Sequence, residues 1–222
     1  MIALGKLDAG SRMNMLAELA TTTTTAPWTF QRAKLTRAHA AGLSDEDVLH
    51  AIALSAYFGH LNRIADAVGV PLDYQVRLAP PAPDASVPAL PPAPASRVGR
   101  PAIDVALRPA TQRALAEWRD YAFKRDTPLT RRQRTFVARW VARWVGDGSI
   151  SPPDDLTRNP LDGALRDLAE TVTLAPWQLG PHSFATLRAA GFDDAALFDV
   201  CATASVAGMI SRLEVALVSL AT

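Results

Sequence analysis

One stretch of this chain is written twice. A shift of 149 positions carries Leu16, Leu19, Ala20, Thr22 and Thr24 onto Leu165, Leu168, Ala169, Thr171 and Thr173 without a gap. The same shift lays Ala26-Pro27-Trp28 on Ala175-Pro176-Trp177, Ala40-Ala41-Gly42 on Ala189-Ala190-Gly191, and Asp45 on Asp194. Further on, Ala53, Gly59, Arg63 and Ala67 fall on Ala202, Gly208, Arg212 and Ala216. Sixteen of the fifty-three positions from 16 to 68 are identical, and most of the rest match in apolar character. Such self-similarity marks a repeated supersecondary unit, and two copies are too few for a solenoid.

Each unit reads as three helices. Met15, Leu16, Leu19 and Ala20 fall at helical spacing after Ser11, a plausible cap. The run Thr21 to Thr25 should weaken that helix, because β-branched side chains lose rotamer freedom there, and Ala26-Pro27 should stop it. Phe30, Ala33, Leu35 and Ala38 set a second helix, ended by Gly42. Ser44 then opens a long third helix. Ser44 and Asp47 form a capping-box pattern, and Asp45, Glu46 and Asp47 place negative charge at the positive end of the helix dipole. Only Gly59 interrupts the run before Gly69-Val70-Pro71 closes it. Gly59 and Gly208 each cost about 1 kcal/mol inside a helix, so their recurrence suggests close helix approach.

Between about Leu78 and Ala95 the chain is rich in Pro and Ala, which predicts a semi-extended linker. The expected organisation is therefore an N-terminal half-unit over 1–76, a linker over 77–98 and a C-terminal helical domain over 99–222. The latter opens with a helix from Pro109 to Lys124, striped by Leu115, Trp118 and Ala122. A second starts at Thr130, with Gln133 completing a capping box. It carries Phe136, Val137, Trp140, Val141, Trp144 and Val145 on one face and stops at Gly146. The fold class predicted is all-α: two three-helix units and a central helical pair. A unit of about 60 residues covers its own apolar face poorly, so the first must pack on the central pair, on the other unit or on a second chain.

Composition excludes several classes. Across 222 residues the net charge is +1, so no global case for nucleic acid or a membrane surface exists. The single Cys201 rules out an intrachain disulfide, a Cys-x-x-Cys pair and a multi-cysteine zinc site. No apolar run is expected to approach the roughly 18 to 20 residues that span a bilayer. The first ten residues lack signal-peptide character. A cytoplasmic protein is expected.

The unit resembles the second half of the alkylhydroperoxidase D-like, or carboxymuconolactone decarboxylase-like, family, nearest to its peroxidase-related branch. The resemblance rests on Leu16 to Ala20, Thr24 to Pro27, Ala40 to Ser44, Ala56-Tyr57-Phe58 and Asn62 to Asp66. It covers about residues 14–74, and more weakly about 161–220. It implies that a thiol site, two cysteines followed by a histidine, should come before each half. Leu129-Thr130-Arg131-Arg132-Gln133 is similar to the lead-in of that site, yet Trp144 to Ile150 carries neither cysteines nor histidine. The resemblance thus implies a peroxidase-related protein without its redox cysteines, or an inactive binding or assembly module. It also favours a homo-oligomer, a dimer first.

Cys201 aligns with Ile52 and reads as a core thiol. Four residues carry what chemistry remains: Tyr57, His60, Asn62 and Arg63. At helical spacing His60 and Arg63 are neighbours, so Arg63 could hold an anionic small molecule while His60 moves a proton. In the second copy Val206, Met209 and Ser211 replace Tyr57, His60 and Asn62. The competing reading makes Arg63 and Arg212 structural, each needing a carbonyl or carboxylate partner, and His60 an interface residue. His39, His50, His60 and His182 show no metal-ligand spacing, and no cofactor is expected. Arg131, Arg132, Arg134, Arg139 and Arg143 read as the solvated side of their helix, pairing with Asp45 to Asp47 or with Asp154 and Asp155, rather than as a nucleic-acid patch.

Overall fold

The computed structural model describes residues 12–70, 102, 108–150 and 160–221. Within them every regular element is helical: α1 (Arg12–Thr25), α2 (Arg32–Ala40), α3 (Asp45–Val68), α4 (Pro109–Phe123), α5 (Arg131–Val145), α6 (Pro160–Leu174), α7 (Ala185–Ala189) and α8 (Asp194–Ala221). The expected linker at 77–98, Ser11, Asp154 and Asp155 lie outside the described residues. Element bounds recur at the repeat's own offset. Asp45 begins α3 and Asp194 begins α8, Thr25 ends α1 and Leu174 ends α6, and 3-10 turns occupy Pro27–Thr29 and Pro176–Gln178. The units differ where Gly180-Pro181 stands in place of Gln31-Arg32. There a 3-10 turn over Pro181–Phe184 precedes the short α7, whereas α2 is continuous.

Local chemistry explains the ends. The Ser44–Asp47 and Thr130–Gln133 capping boxes are both formed, and Gly42, Gly69, Gly146 and Gly191 adopt positive φ just past helix ends. The threonine run does not fray α1. Thr22, Thr23, Thr24 and Thr25 each donate a hydroxyl to the carbonyl four residues back, at 2.8–2.9 Å. The side chains that weaken a helix in isolation thus satisfy themselves on its own backbone.

The centre of the molecule is α8, with an apolar cluster on each side. On one, Val200, Cys201, Ala204 and Ala207 pack with Phe136, Val137, Val141 and Trp144 of α5 and Leu165, Leu168 and Val172 of α6. On the other, Val206, Met209, Ile210 and Leu213 pack with Met15, Leu19, Val48, Ile52 and Ala56 of the first unit and with Trp118 of α4. The first unit therefore buries its face in cis, and one core crosses from residues 1–76 to residues 99–222. At about 1.5–3 kcal/mol for each large apolar side chain buried, that shared cluster is the main attachment between them. Within Asp194–Leu220 of α8 an 18-residue window with a mean hydropathy of 1.4 is long and apolar enough to cross a membrane, contrary to the sequence expectation. The reason is its central position: 89% of that apolar window is buried by other helices.

One expected surface residue is internal. Arg134 is 0% exposed. Its guanidinium donates to both carboxylate oxygens of Asp199 on α8, with Nη1 to Oδ1 at 3.0 Å. It also reaches the carbonyls of Ala122, Arg125, Thr127 and Leu129 at 3.0–3.2 Å. It clamps the α4–α5 turn onto α8. Of its neighbours, Arg131 sits 3.9 Å from Asp126 and Arg132 pairs with Asp162 at 3.0 Å. Asp45, Glu46 and Asp47 pair with His39, Arg108 and Arg12.

Candidate functional site

The four residues singled out on α3 separate. Tyr57 and His60 come together against Trp118 of α4, with ring centroids at 6.2 and 5.2 Å from the indole. Tyr57 is 41% exposed and His60 is buried. Asn62 is exposed and joins neither group. Arg63 turns into a cavity that His60 does not line.

His60 is held by Ser205 of α8. The Ser205 hydroxyl donates to the His60 carbonyl at 2.8 Å, and its oxygen lies 2.8 Å from His60 Nδ1. With the hydroxyl proton committed to the carbonyl, the network assigns the ring proton to Nδ1. Burial holds the imidazole pKa below its ordinary value and the charge of Arg63 adds to the effect, while the Ser205 contact opposes it. The repeat supplies a control. The counterpart of this polar pair is Met209 with Ala56, both buried in the same cluster.

A stability prediction follows from that pairing. Ser205→Ala should cost about 1–3 kcal/mol, because Nδ1–H loses its acceptor in the core. Adding His60→Met, which copies the apolar counterpart, should recover most of the loss in urea melts. The sign with pH is fixed by the lowered folded pKa. The neutral ring's contribution is complete above the unfolded value of about 6.5 and is lost as pH falls from there toward the folded pKa. The double variant should lose that part of the acid limb. An acid limb identical in both proteins would show that His60 does not carry it.

The cavity beside Arg63 has a volume of about 90 Å³ and is lined by Thr24, Thr25, Trp28, Arg63, Thr173, Leu174, Trp177 and Arg212, with Trp144 and Val145 of α5. Apart from the α5 residues its walls come in pairs related by the repeat. Arg63 Nε donates to the carbonyl of Thr173 at 3.3 Å, and Arg212 Nε to that of Thr24 at 3.0 Å. The contact is reciprocal, as across a two-fold axis. Each arginine also curls back onto its own helix, Arg63 Nη1 to Gly59 O at 2.7 Å and Arg212 Nη1 to Gly208 O at 3.2 Å. Arg212 Nη2 adds the Thr173 carbonyl at 3.0 Å.

This explains the two helical glycines better than close helix approach, for which only Gly208 gives a sign, Val141 Cγ1 of α5 lying 3.8 Å from a Cβ built there. A Cβ at Gly59 would meet Arg63 Nη1 at 2.9 Å, and one at Gly208 would meet Arg212 Nη1 at 2.8 Å. The glycine makes room for the guanidinium of the residue four positions on.

The electrostatics are unusual. Arg63 and Arg212 are 8% and 5% exposed. Among the described residues neither has a carboxylate within ion-pair distance. Burial pulls the Arg63 pKa down to about 10, with Asp66 on the same helix opposing the shift. Burial and then the charge of Arg63 push Arg212 well below the usual arginine range. The lining holds no carboxylate, histidine or thiol, and the Thr24, Thr25 and Thr173 hydroxyls are donated to their own helices. The arrangement can bind, orient and neutralise; it offers no general base or nucleophile.

Sequence reasoning singled out Arg63 but missed Arg212, Thr24, Thr173, Trp28, Trp144 and Trp177 as its companions. Most carried a signal: Thr24 with Thr173, Trp28 with Trp177 and Arg63 with Arg212 are identities of the repeat, and they converge on one cavity. Cys201 lies in the core, 2% exposed, and burial raises its thiol pKa to about 12. Comparison with protein-family models, with curated proteins and with solved structures yields no match.

Proposed function

We propose that this chain is a ligand-binding and assembly module, a relative of the alkylhydroperoxidase D-like proteins that carries no thiol chemistry. The single observation that supports this reading most is the content of the cavity: two buried arginines and three tryptophans, with no group able to take or give a proton at neutral pH. The family assignment rests on the α3 motif and its neighbours, and the duplicated half-unit belongs to the same reading. So does a cytoplasmic homodimer. Leu54, Tyr57, Phe58 and Leu61 form an exposed apolar stripe on α3. Their counterparts Thr203, Val206, Ala207 and Ile210 on α8 are buried, so the first unit keeps a face open where the second does not.

The test is peroxide consumption with a dithiol reductant. Wild type and Cys201→Ala should both stay at the uncatalysed background, and Cys201 should react with a thiol reagent only on unfolding, because a thiol with so high a pKa in the core is scarcely ionised. Sedimentation of the same sample should give a dimer mass. Turnover that depends on Cys201 or His60 would overturn the reading.

A further inference from the structure

We infer that the cavity between Arg63 and Arg212 is a site for one compact trigonal oxyanion, a small carboxylate or bicarbonate; this deepens the binding reading above and rests on it. Two guanidiniums face one cavity, and their protein acceptors are carbonyls rather than carboxylates. Thr24 and Thr173 lie in the last turns of α1 and α6, where a helix dipole presents about half a negative charge. Two such ends offset about one of the two positive charges. Asp66, on the exposed side of α3, opposes the shift at Arg63 only through its charge; its counterpart beside Arg212 is Val215. A bound monoanion supplies what the fold leaves out.

Shape and donors agree. A cavity of about 90 Å³ corresponds to roughly three waters at about 30 Å³ each, or to an anion of about four heavy atoms. Arg63 Nη2 has no acceptor among the described residues and is not sealed from solvent, so it is free to meet an occupant of the cavity. A planar guanidinium edge matches the two oxygens of a planar anion. The indoles of Trp28, Trp144 and Trp177 wall the space, and Trp177 is 41% exposed, so part of the wall reaches solvent. An occupant of this size can bind no tighter than roughly tens of micromolar.

The experiment uses the full chain in sodium gluconate, whose anion is too large for the cavity. Acetate, bicarbonate, nitrate and chloride are titrated at constant ionic strength, with tryptophan fluorescence and Tm as readouts. Expected is a saturable response to nitrate and to acetate or bicarbonate at one site per chain, with a Tm that rises with concentration. Acetate without bicarbonate assigns a carboxylate, and the reverse assigns bicarbonate. Arg212→Met should weaken binding at least tenfold. Leu174→Trp, which fills the cavity and keeps both arginines, should abolish it, so the test survives if Arg212→Met fails to fold. No saturable response in wild type, an equal response to spherical chloride, or a response retained by Leu174→Trp would overturn the inference. Peroxide turnover would instead overturn the binding reading, so the two failures are distinct.

Discussion

Asp199→Ala should destabilise the protein by about 3–5 kcal/mol, the cost of leaving a buried guanidinium without its carboxylate. Asp199 is 5% exposed and Arg134 0%, so water cannot replace the missing partner. The carboxylate has other duties as well: it accepts from Leu129 N at 3.2 Å and from Arg125 Nη2 at 3.2 Å. Removing it frees the α4–α5 turn from α8 in three places at once. Against a total stability of about 5–15 kcal/mol the loss is large, and for a chain of this size Tm should fall by about 10 °C. Urea denaturation at neutral pH measures it directly.

The same site predicts that the usual apolar rescue fails. Replacing both members of a buried ion pair by apolar side chains is often neutral or stabilising. Here Arg134 also satisfies the carbonyls of Ala122, Arg125, Thr127 and Leu129. Arg134→Met with Asp199→Leu should therefore remain at least as destabilised as Asp199→Ala. Recovery to wild-type stability would mean that those carbonyls find water.

How much of this was legible beforehand divides by distance along the chain. Caps, turns and helix bounds rest on residues within one or two turns of each other, and Ser44 with Asp47, Thr130 with Gln133 and the positive-φ glycines all sit where local pattern puts them. The need of Arg63 and Arg212 for a carbonyl or carboxylate was legible too, since burial on an apolar helix demands one. Which carbonyl was not, because Thr173 serves Arg63 only when two units pack face to face. Arg134 was misplaced for the same reason. Its position opposite Phe136 and Trp140 reads as solvated on an isolated helix, and only α4 and α8 cover it. The missed clue was at the other end: Asp199 stands in the apolar helix α8 with no local cation. At Thr22 to Thr25 the helix ends where Ala26-Pro27 places its stop, and what propensity did not convey is the hydroxyl hydrogen bonds that complete its last turn.

Gly208→Ala is the sharpest test of the reciprocal arginine arrangement, because ordinary helix physics predicts the opposite sign. Alanine gains about 1 kcal/mol over glycine in a helix interior, and Gly163→Ala in α6, where a Cβ meets nothing within 4 Å, should show that gain. At Gly208 the new Cβ lies 2.8 Å from Arg212 Nη1. The guanidinium has nowhere cheap to go: it is held by Thr24 and Thr173 of the two helix ends and is buried. Losing two charge-assisted bonds, each about 1.5–3 kcal/mol, outweighs the backbone gain, for a net loss of about 2–5 kcal/mol. Gly59→Ala should cost less, since Arg63 makes one fewer contact and its Nη2 is uncommitted. An order of stability with Gly163→Ala above wild type, then Gly59→Ala, then Gly208→Ala, would tie both glycines to the arginines four residues on. If Gly208→Ala instead stabilises like Gly163→Ala, Arg212 is not held where its hydrogen bonds place it, and the paired charge around the cavity does not exist.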